Sequence, residues 1–174
     1  FVFPTAPDRA VTINQGMVMP AWYDLAQLDP NKHDEKGIGE SEKMIGQLIE
    51  HEISRGISSD KITLAGFSQG GVIALHTGLR YPKKLAGILS LSAYLPFGER
   101  LKTERSKENI NIPIFMAHGI TDNIIPIQFA RLSYHVLKQL NYKTDWHDYP
   151  MEHSVCTEEV NDISRWLREI YLTS

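Results

Sequence analysis

Gly66-Phe67-Ser68-Gln69-Gly70-Gly71 stands between an apolar run from Lys61 to Ala65 and a helical run from Val72 to Arg80. This is Gly-x-Ser-x-Gly in a strand-turn-helix setting. Small residues around the serine allow a tight, strained turn that lifts its hydroxyl clear of a sheet, while the next backbone N–H and the helix N-terminus face any developing oxyanion. Ser68 is the candidate nucleophile. The pentapeptide alone fits equally well a glycine-rich turn in which the serine only caps the helix. It lacks the Gly-Lys-Ser/Thr ending of a phosphate-binding loop.

Working outward, the decision rests on partners. A serine hydroxyl is a weak nucleophile at neutral pH and needs a histidine base with an acid to orient it. His118-Gly119-Ile120-Thr121-Asp122 follows an apolar run from Pro113 to Ala117, which puts Asp122 in the loop beyond that strand. His153 follows the run Thr144 to Tyr149 in the same way, in the loop Pro150-Met151-Glu152-His153. Ser68, Asp122 and His153 thus all lie beyond the carboxyl ends of strands, the edge where open α/β sheets bind ligands, and in the chain order Ser, Asp, His. Each has a plainer reading: Asp122 as a turn residue before Asn123, and His153 as a helix-entry residue with Ser154 or Thr157 capping. Among the other histidines, His33 and His51 read as solvent-facing, His76 and His135 as helical, and His147 as a strand residue. His118 reads as support for the Asp122 loop. His33-Asp34-Glu35 reads as solvated surface, because adjacent residues in a polar loop rarely converge on one ion. Cys156 lacks a strained turn and reads as a small packed residue.

The rest of the chain alternates short apolar strands with helix-like stripes, the pattern of an α/β fold with a mainly parallel sheet flanked by helices. Strands are expected near 1–3, 62–66, 86–92, 113–118 and 144–149. Met44, Ile45, Leu48, Ile49 and Ile53 make one helical stripe, stopped by Gly56. Phe129, Leu132, Val136, Leu137 and Leu140 make a second, and Ile163, Trp166, Leu167 and Ile170 a third. Leu95 to Asn111 is expected as a solvated loop. No repeat or linker divides residues 1–174, which read as one domain. Phe1-Val2-Phe3-Pro4 reads as the end of a buried strand, so the chain is expected to lack N-terminal strands of a product extending about 50 residues upstream.

Composition closes off other classes. With 18 basic and 21 acidic residues the formal net charge is −3, and the densest charge run, Glu99 to Glu108, alternates in sign. No basic footprint for nucleic acid is present. A hydrophobic content of 42% with 22% charged residues suits a globular chain and excludes disorder or coiled coil as the main architecture. No apolar stretch approaches the roughly 20 residues of a spanning helix. The lone Cys156 suits a reducing compartment, so the cytoplasm is expected.

The sequence resembles the phospholipase/carboxylesterase family of α/β-hydrolases, the group that includes acyl-protein thioesterases. The likeness runs nearly end to end, through Phe3-Pro4-Thr5-Ala6-Pro7, Met17 to Asp24 (MVMPAWYD), GFSQGG at 66–71, HGITDNIIP at 118–126 and Tyr149-Pro150-Met151-Glu152-His153. The resemblance implies an α/β-hydrolase domain with Ser68 as nucleophile, Asp122 as acid, His153 as base and the Gln69 N–H as an oxyanion donor. It implies hydrolysis of carboxylic esters or thioesters with short-to-medium acyl chains, without metal or organic cofactor. Met17, Met19 and Trp22 would form an apolar acyl-site wall, although three such residues in a loop equally fit local packing. The expected partners are an ester or acylated substrate and, for assembly, a homodimer. One departure stands out: the family carries, upstream of the position of Phe1, a His-Gly-Gly or Leu-Gly type loop that supplies a second oxyanion N–H, a donor worth about 10²–10³ in turnover. The competing reading is a non-catalytic remnant of the fold that binds acyl groups or a protein partner. A dehalogenase-like hydrolase is disfavoured by serine, rather than aspartate, at the turn.

Overall fold

A computed structural model describes residues 1–27 and 32–172 of the 174. After an N-terminal hairpin, β1 (Asp8–Val11) and β2 (Met17–Pro20), come α1 (Glu35–Ser54), β3 (Thr63–Phe67), α2 (Gln69–Arg80), β4 (Gly87–Leu91), a short α3 (Leu101–Glu104), β5 (Ile114–Gly119), α4 (Ile127–Gln139), β6 (Thr144–Tyr149) and α5 (Thr157–Leu172). Strands β3 to β6 form a parallel sheet in that spatial order.

The two middle strands, β4 and β5, are buried at every position, as expected of strands covered on both faces. Their side chains alternate between two cores. Ile88, Ile114 and Met116 join Ile49 of α1, Leu75 and Leu79 of α2 and Leu137 of α4. Leu89, Leu91, Phe115 and Ala117 face the other way, onto Trp166, with Ile163, Leu167 and Ile170 of α5 packed behind. Helices therefore cover both faces and leave the strand ends to the loops. Four of the five expected strands and the helices carrying the three stripes are found where the periodicity places them, except that Leu132 of α4 is 57% exposed and does not join the core. Helix α1 starts well before its stripe, capped by the Asp34 carboxylate accepting from Gly37 N–H at 2.9 Å, and stops just before Gly56, whose φ is +96°.

Three expectations need correction. Residues 1–3 form no strand: Phe1 is 113% and Phe3 88% exposed, and the first extended elements are instead the β1–β2 hairpin, in which Asp8 pairs with Pro20 and Val11 with Met17. The segment 95–111 is more than a solvated loop. It contains α3, it buries Leu101 completely, and Asn109 is also fully buried, its amide accepting from Leu85 N–H and donating to the Tyr81 and Lys83 carbonyls. One side chain there satisfies three backbone groups of the turn between α2 and β4. His33-Asp34-Glu35 is not merely surface either, since Asp34 also accepts from Asp24 N–H and so ties the hairpin's exit to α1. No helix among the described residues is long and apolar enough to cross a membrane.

Candidate active site

Ser68 sits at the junction of β3 and α2 with φ 55° and ψ −122°, a conformation that a non-glycine residue keeps only when its surroundings over-determine it. They do. Its N–H donates to the Leu91 carbonyl at 2.9 Å and its carbonyl accepts from Gly71 and Val72 N–H. The turn is so tight that a Cβ on Gly66 would stand 2.1 Å from the Gly70 carbonyl carbon, so only glycine fits. The Ser68 side chain makes no capping bond to α2. The hydroxyl is therefore not spent as a helix cap, the role the plainer reading gave it. Gln69 opens α2, and its N–H is one of the orphan donors of a helix N-terminus, where the helix dipole favours negative charge.

Asp122 and His153 meet directly. His153 Nδ1 lies 2.7 Å from Asp122 Oδ2. A carboxylate can only accept, so Nδ1 carries the proton and Nε2 is left with its lone pair. The other carboxylate oxygen, Oδ1, accepts from Ile124 N–H at 2.9 Å and Ile125 N–H at 2.8 Å. Burial by itself would raise the Asp122 pKa, but the His153 bond and the two backbone N–H groups outweigh it and hold the carboxyl below its ordinary value. Asp122 is a charged acceptor in a site from which its side chain is wholly shielded, while the His153 side chain keeps 15% exposure. The His153 ring lies 4.7 Å from that of Phe67, centroid to centroid, and so stands beside the turn that carries Ser68.

The loops bearing the acid and the histidine are stitched together. Ile120 N–H donates to the Tyr149 carbonyl, and the Thr121 N–H and hydroxyl both donate to that of Met151. Gly119 lies at the seam, where a Cβ would come within 2.3 Å of the Glu152 carbonyl oxygen. Of the residues expected to line an acyl site, Trp22 contacts the 66–71 turn: its backbone N–H donates to Gln69 Oε1 at 2.9 Å, and its indole nitrogen is 3.8 Å from where a Gly70 side chain would begin. Gln69 Nε2 also donates to the Tyr23 carbonyl, and Ser41 donates to that of Trp22. Met17 and Met19 lie on β2 rather than in a loop, with Met17 65% exposed and the Met19 sulfur accepting from Asn14.

Two features escaped sequence reasoning. The Gln69 side chain clamps the chain at 22–23, a long-range contact with no local signal. His118 contacts Asp122 itself, which its position at a strand end only hinted at. No group of three His, Cys, Asp or Glu side chains among the described residues could hold a metal ion.

Residues 1–171 match the family model described as phospholipase/carboxylesterase. The chain is 38% identical to acyl-protein thioesterase 1 of Yarrowia lipolytica, with 97% of this chain and 77% of the relative aligned. It is 40% identical to the protein of the same name from Neurospora crassa, over 97% and 73%. Among solved structures, SOBER1 of Arabidopsis thaliana superposes with a TM-score of 0.91 at 30% identity, covering 98% of this chain and 83% of that one. Acyl-protein thioesterase 2 of Zea mays gives 0.85 at 26%, covering 96% and 79%.

Proposed function

The chain belongs to the phospholipase/carboxylesterase family, and from that premise we propose that Ser68, His153 and Asp122 form the catalytic triad of its ester and thioester hydrolysis. It is a serine hydrolase with an α/β-hydrolase fold. The observation that carries the triad assignment is the 2.7 Å bond between Asp122 and His153 beside a strained serine.

In the proposed cycle His153 Nε2 takes the proton of the Ser68 hydroxyl as Oγ attacks the acyl carbon. The charge that develops on the carbonyl oxygen meets the Gln69 N–H and the N-terminus of α2. Collapse of the tetrahedral intermediate breaks the bond to the leaving alcohol or thiol, which receives the proton from Nε2, and leaves an acyl-serine. Water then gives a proton to the same nitrogen as it attacks the acyl-serine, and collapse of the second intermediate breaks the acyl–Oγ bond, releasing the acid while Nε2 returns the proton to the Ser68 oxygen. Asp122 stays ionised throughout, fixing the tautomer of His153 and stabilising the imidazolium.

For the acyl group, the support is a rim of exposed apolar residues set one or two positions from each triad member: Phe67, Ile120, Ile124 and Val155. We assign short-to-medium acyl chains to this rim and to Trp22, with Met17 and Met19 as the outer wall on the hairpin. The residues require no metal or organic cofactor for this chemistry. The setting we propose is the cytoplasm, with residues 1–174 as one domain. The test is turnover of activated esters and acyl thioesters of graded chain length by the parent, Ser68→Ala and His153→Ala. Loss of both activities in each variant is expected. Near-parent turnover in His153→Ala would overturn the triad.

A further inference from the structure

Asp122 Oδ2 does not serve His153 alone. The Nε2 of His118 lies 3.2 Å from the same oxygen and 2.8 Å from the Ile125 carbonyl. Both of these neighbours only accept, so Nε2 must carry the hydrogen, which it donates to the Ile125 carbonyl while standing close against Asp122 Oδ2. The His118 ring is completely buried, and its Nδ1 has no hydrogen-bond partner. A second proton would have to sit there without a partner, in a site that water does not reach.

We propose that His118 is a positioning residue for the reaction, a neutral imidazole protonated on Nε2 that fixes the oxygen of Asp122 on which His153 is oriented. The proposal rests on the triad reading above. Its physical content is that one N–H acts on two things. It bonds the Ile125 carbonyl, whose own residue's N–H grips Asp122 Oδ1, and its positive end lies 3.2 Å from Asp122 Oδ2, which points His153. The carboxylate is thus held through both oxygens by three hydrogen bonds, from Ile124 N–H, Ile125 N–H and His153 Nδ1, with the His118 Nε2–H set 3.2 Å from Oδ2 as a fourth, electrostatic neighbour. Neutrality matters to the role. A charged His118 would neutralise Asp122 and weaken its hold on the catalytic imidazole, whereas a neutral donor orients the carboxylate and leaves its charge in place.

The surroundings agree. Burial is the leading influence on His118 and lowers its pKa, with the nearby His153 acting in the same direction; the Ile125 carbonyl and Asp122 oppose it without reversing it. The other charged group in register is Asp148 on β6, which is engaged with Arg131 of α4 at 3.1 Å.

The test compares His118→Gln, whose amide N–H can reach where Nε2–H did, with His118→Asn, which has the same chemistry on a stem one carbon too short. In the full chain, His118→Asn should lower kcat for an activated ester by about 10²-fold, the scale of a slightly misplaced catalytic group, with KM nearly unchanged. His118→Gln should recover most of that loss. Asp122 without the neighbouring N–H holds its remaining partner's proton more tightly, so the acid limb of kcat/KM should move to higher pH in His118→Asn and return toward the parent in His118→Gln. Equal losses in the two variants, or no loss in His118→Asn, would overturn the proposal. Asp122→Asn is measured alongside: collapse of turnover there with none in His118→Asn sinks the positioning role alone, while full activity in Asp122→Asn sinks the triad. If His118→Asn does not fold, ring ¹⁵N chemical shifts of the parent decide. A neutral Nε2–H ring from about pH 5 to pH 8 supports the proposal, and an Nδ1–H tautomer or a titration in that window contradicts it.

Discussion

The two ends of the parallel sheet make an instructive pair. At the amino ends of the strands lies a groove of about 710 Å³ whose lining includes Asp60, Lys61, Lys84, Glu108, Lys143 and Asp145. At the carboxyl ends lie Ser68, Asp122 and His153. The first is roomy and rich in charge, yet the second has the features chemistry needs: a strained residue whose hydroxyl caps nothing, a shielded carboxylate held through both oxygens, and a histidine ring with one nitrogen committed to it. Volume and charge mark a concavity. Committed hydrogen bonds mark a reactive one.

The largest effect that could break this contrast is Ser68→Ala, expected to lower turnover by about 10⁶-fold, the scale seen when a triad nucleophile is removed, with the thermal midpoint unmoved by more than a few degrees in calorimetry. Asp122→Asn comes next. It keeps the shape but favours the wrong tautomer of His153, and steady-state kinetics should show a loss of about 10⁴-fold. Gly119→Ala sharpens the comparison by prising apart the two loops of the carboxyl end. Its Cβ would meet the Met151 and Glu152 carbonyl oxygens at 2.4 and 2.3 Å, and denaturant unfolding should show a destabilisation of about 3 kcal/mol together with reduced turnover.

Glu159 gives a subtler contrast within the same end. Unlike Asp122, this carboxyl in the first turn of α5 is fully buried with neither oxygen in hydrogen-bond geometry; the Cys156 N–H turns toward it but only weakly opposes the effect of burial, which pushes the pKa up to about 7. A carboxyl raised in the folded state binds its proton more tightly folded than unfolded, so its cost is small near pH 4.5 and grows as pH rises toward 7, reaching roughly 3 kcal/mol above that. Glu159→Gln should therefore raise the thermal midpoint by several degrees at pH 8 and change it little at pH 5. The smallest effect belongs to the amino end: Lys143→Ala with Asp145→Ala should leave turnover within about 2–3-fold of the parent and stability within about 0.5 kcal/mol per site. A large loss there would dissolve the distinction between the two ends.

What could be read from the sequence followed the range of the forces involved. The middle strands were legible because β4 and β5 are mostly apolar runs, and Ser68 and Asp122 follow apolar runs of this kind, whereas His153 follows β6, a polar strand marked only by its aromatic Trp146 and Tyr149. The turn at 66–71 was legible because glycine is the only residue that fits where a Cβ would strike backbone. The N-terminal 27 residues were not. Met17 to Pro20 lacks a buried face, with burial intermediate only at Met19, so no alternation marks it as a strand, and the apolar run at Phe1 to Phe3 is exposed rather than paired. The roles of Asn109, Gln69 and His118 were hidden for a related reason. Each acts by hydrogen bonds whose partners are fixed only once the chain has folded, at separations of up to 47 residues for Gln69 and Trp22, and such bonds leave no period in the sequence.

The most direct test of the central claim is to map the adduct formed by a fluorophosphonate on the parent protein and to follow its rate of formation in His153→Ala. A single modified peptide carrying the label on Ser68, formed orders of magnitude more slowly without His153, is the result expected of a serine activated at the carboxyl end of this sheet. Labelling that persists in Ser68→Ala, that maps to Cys156, or that proceeds at the parent rate without His153 would contradict it.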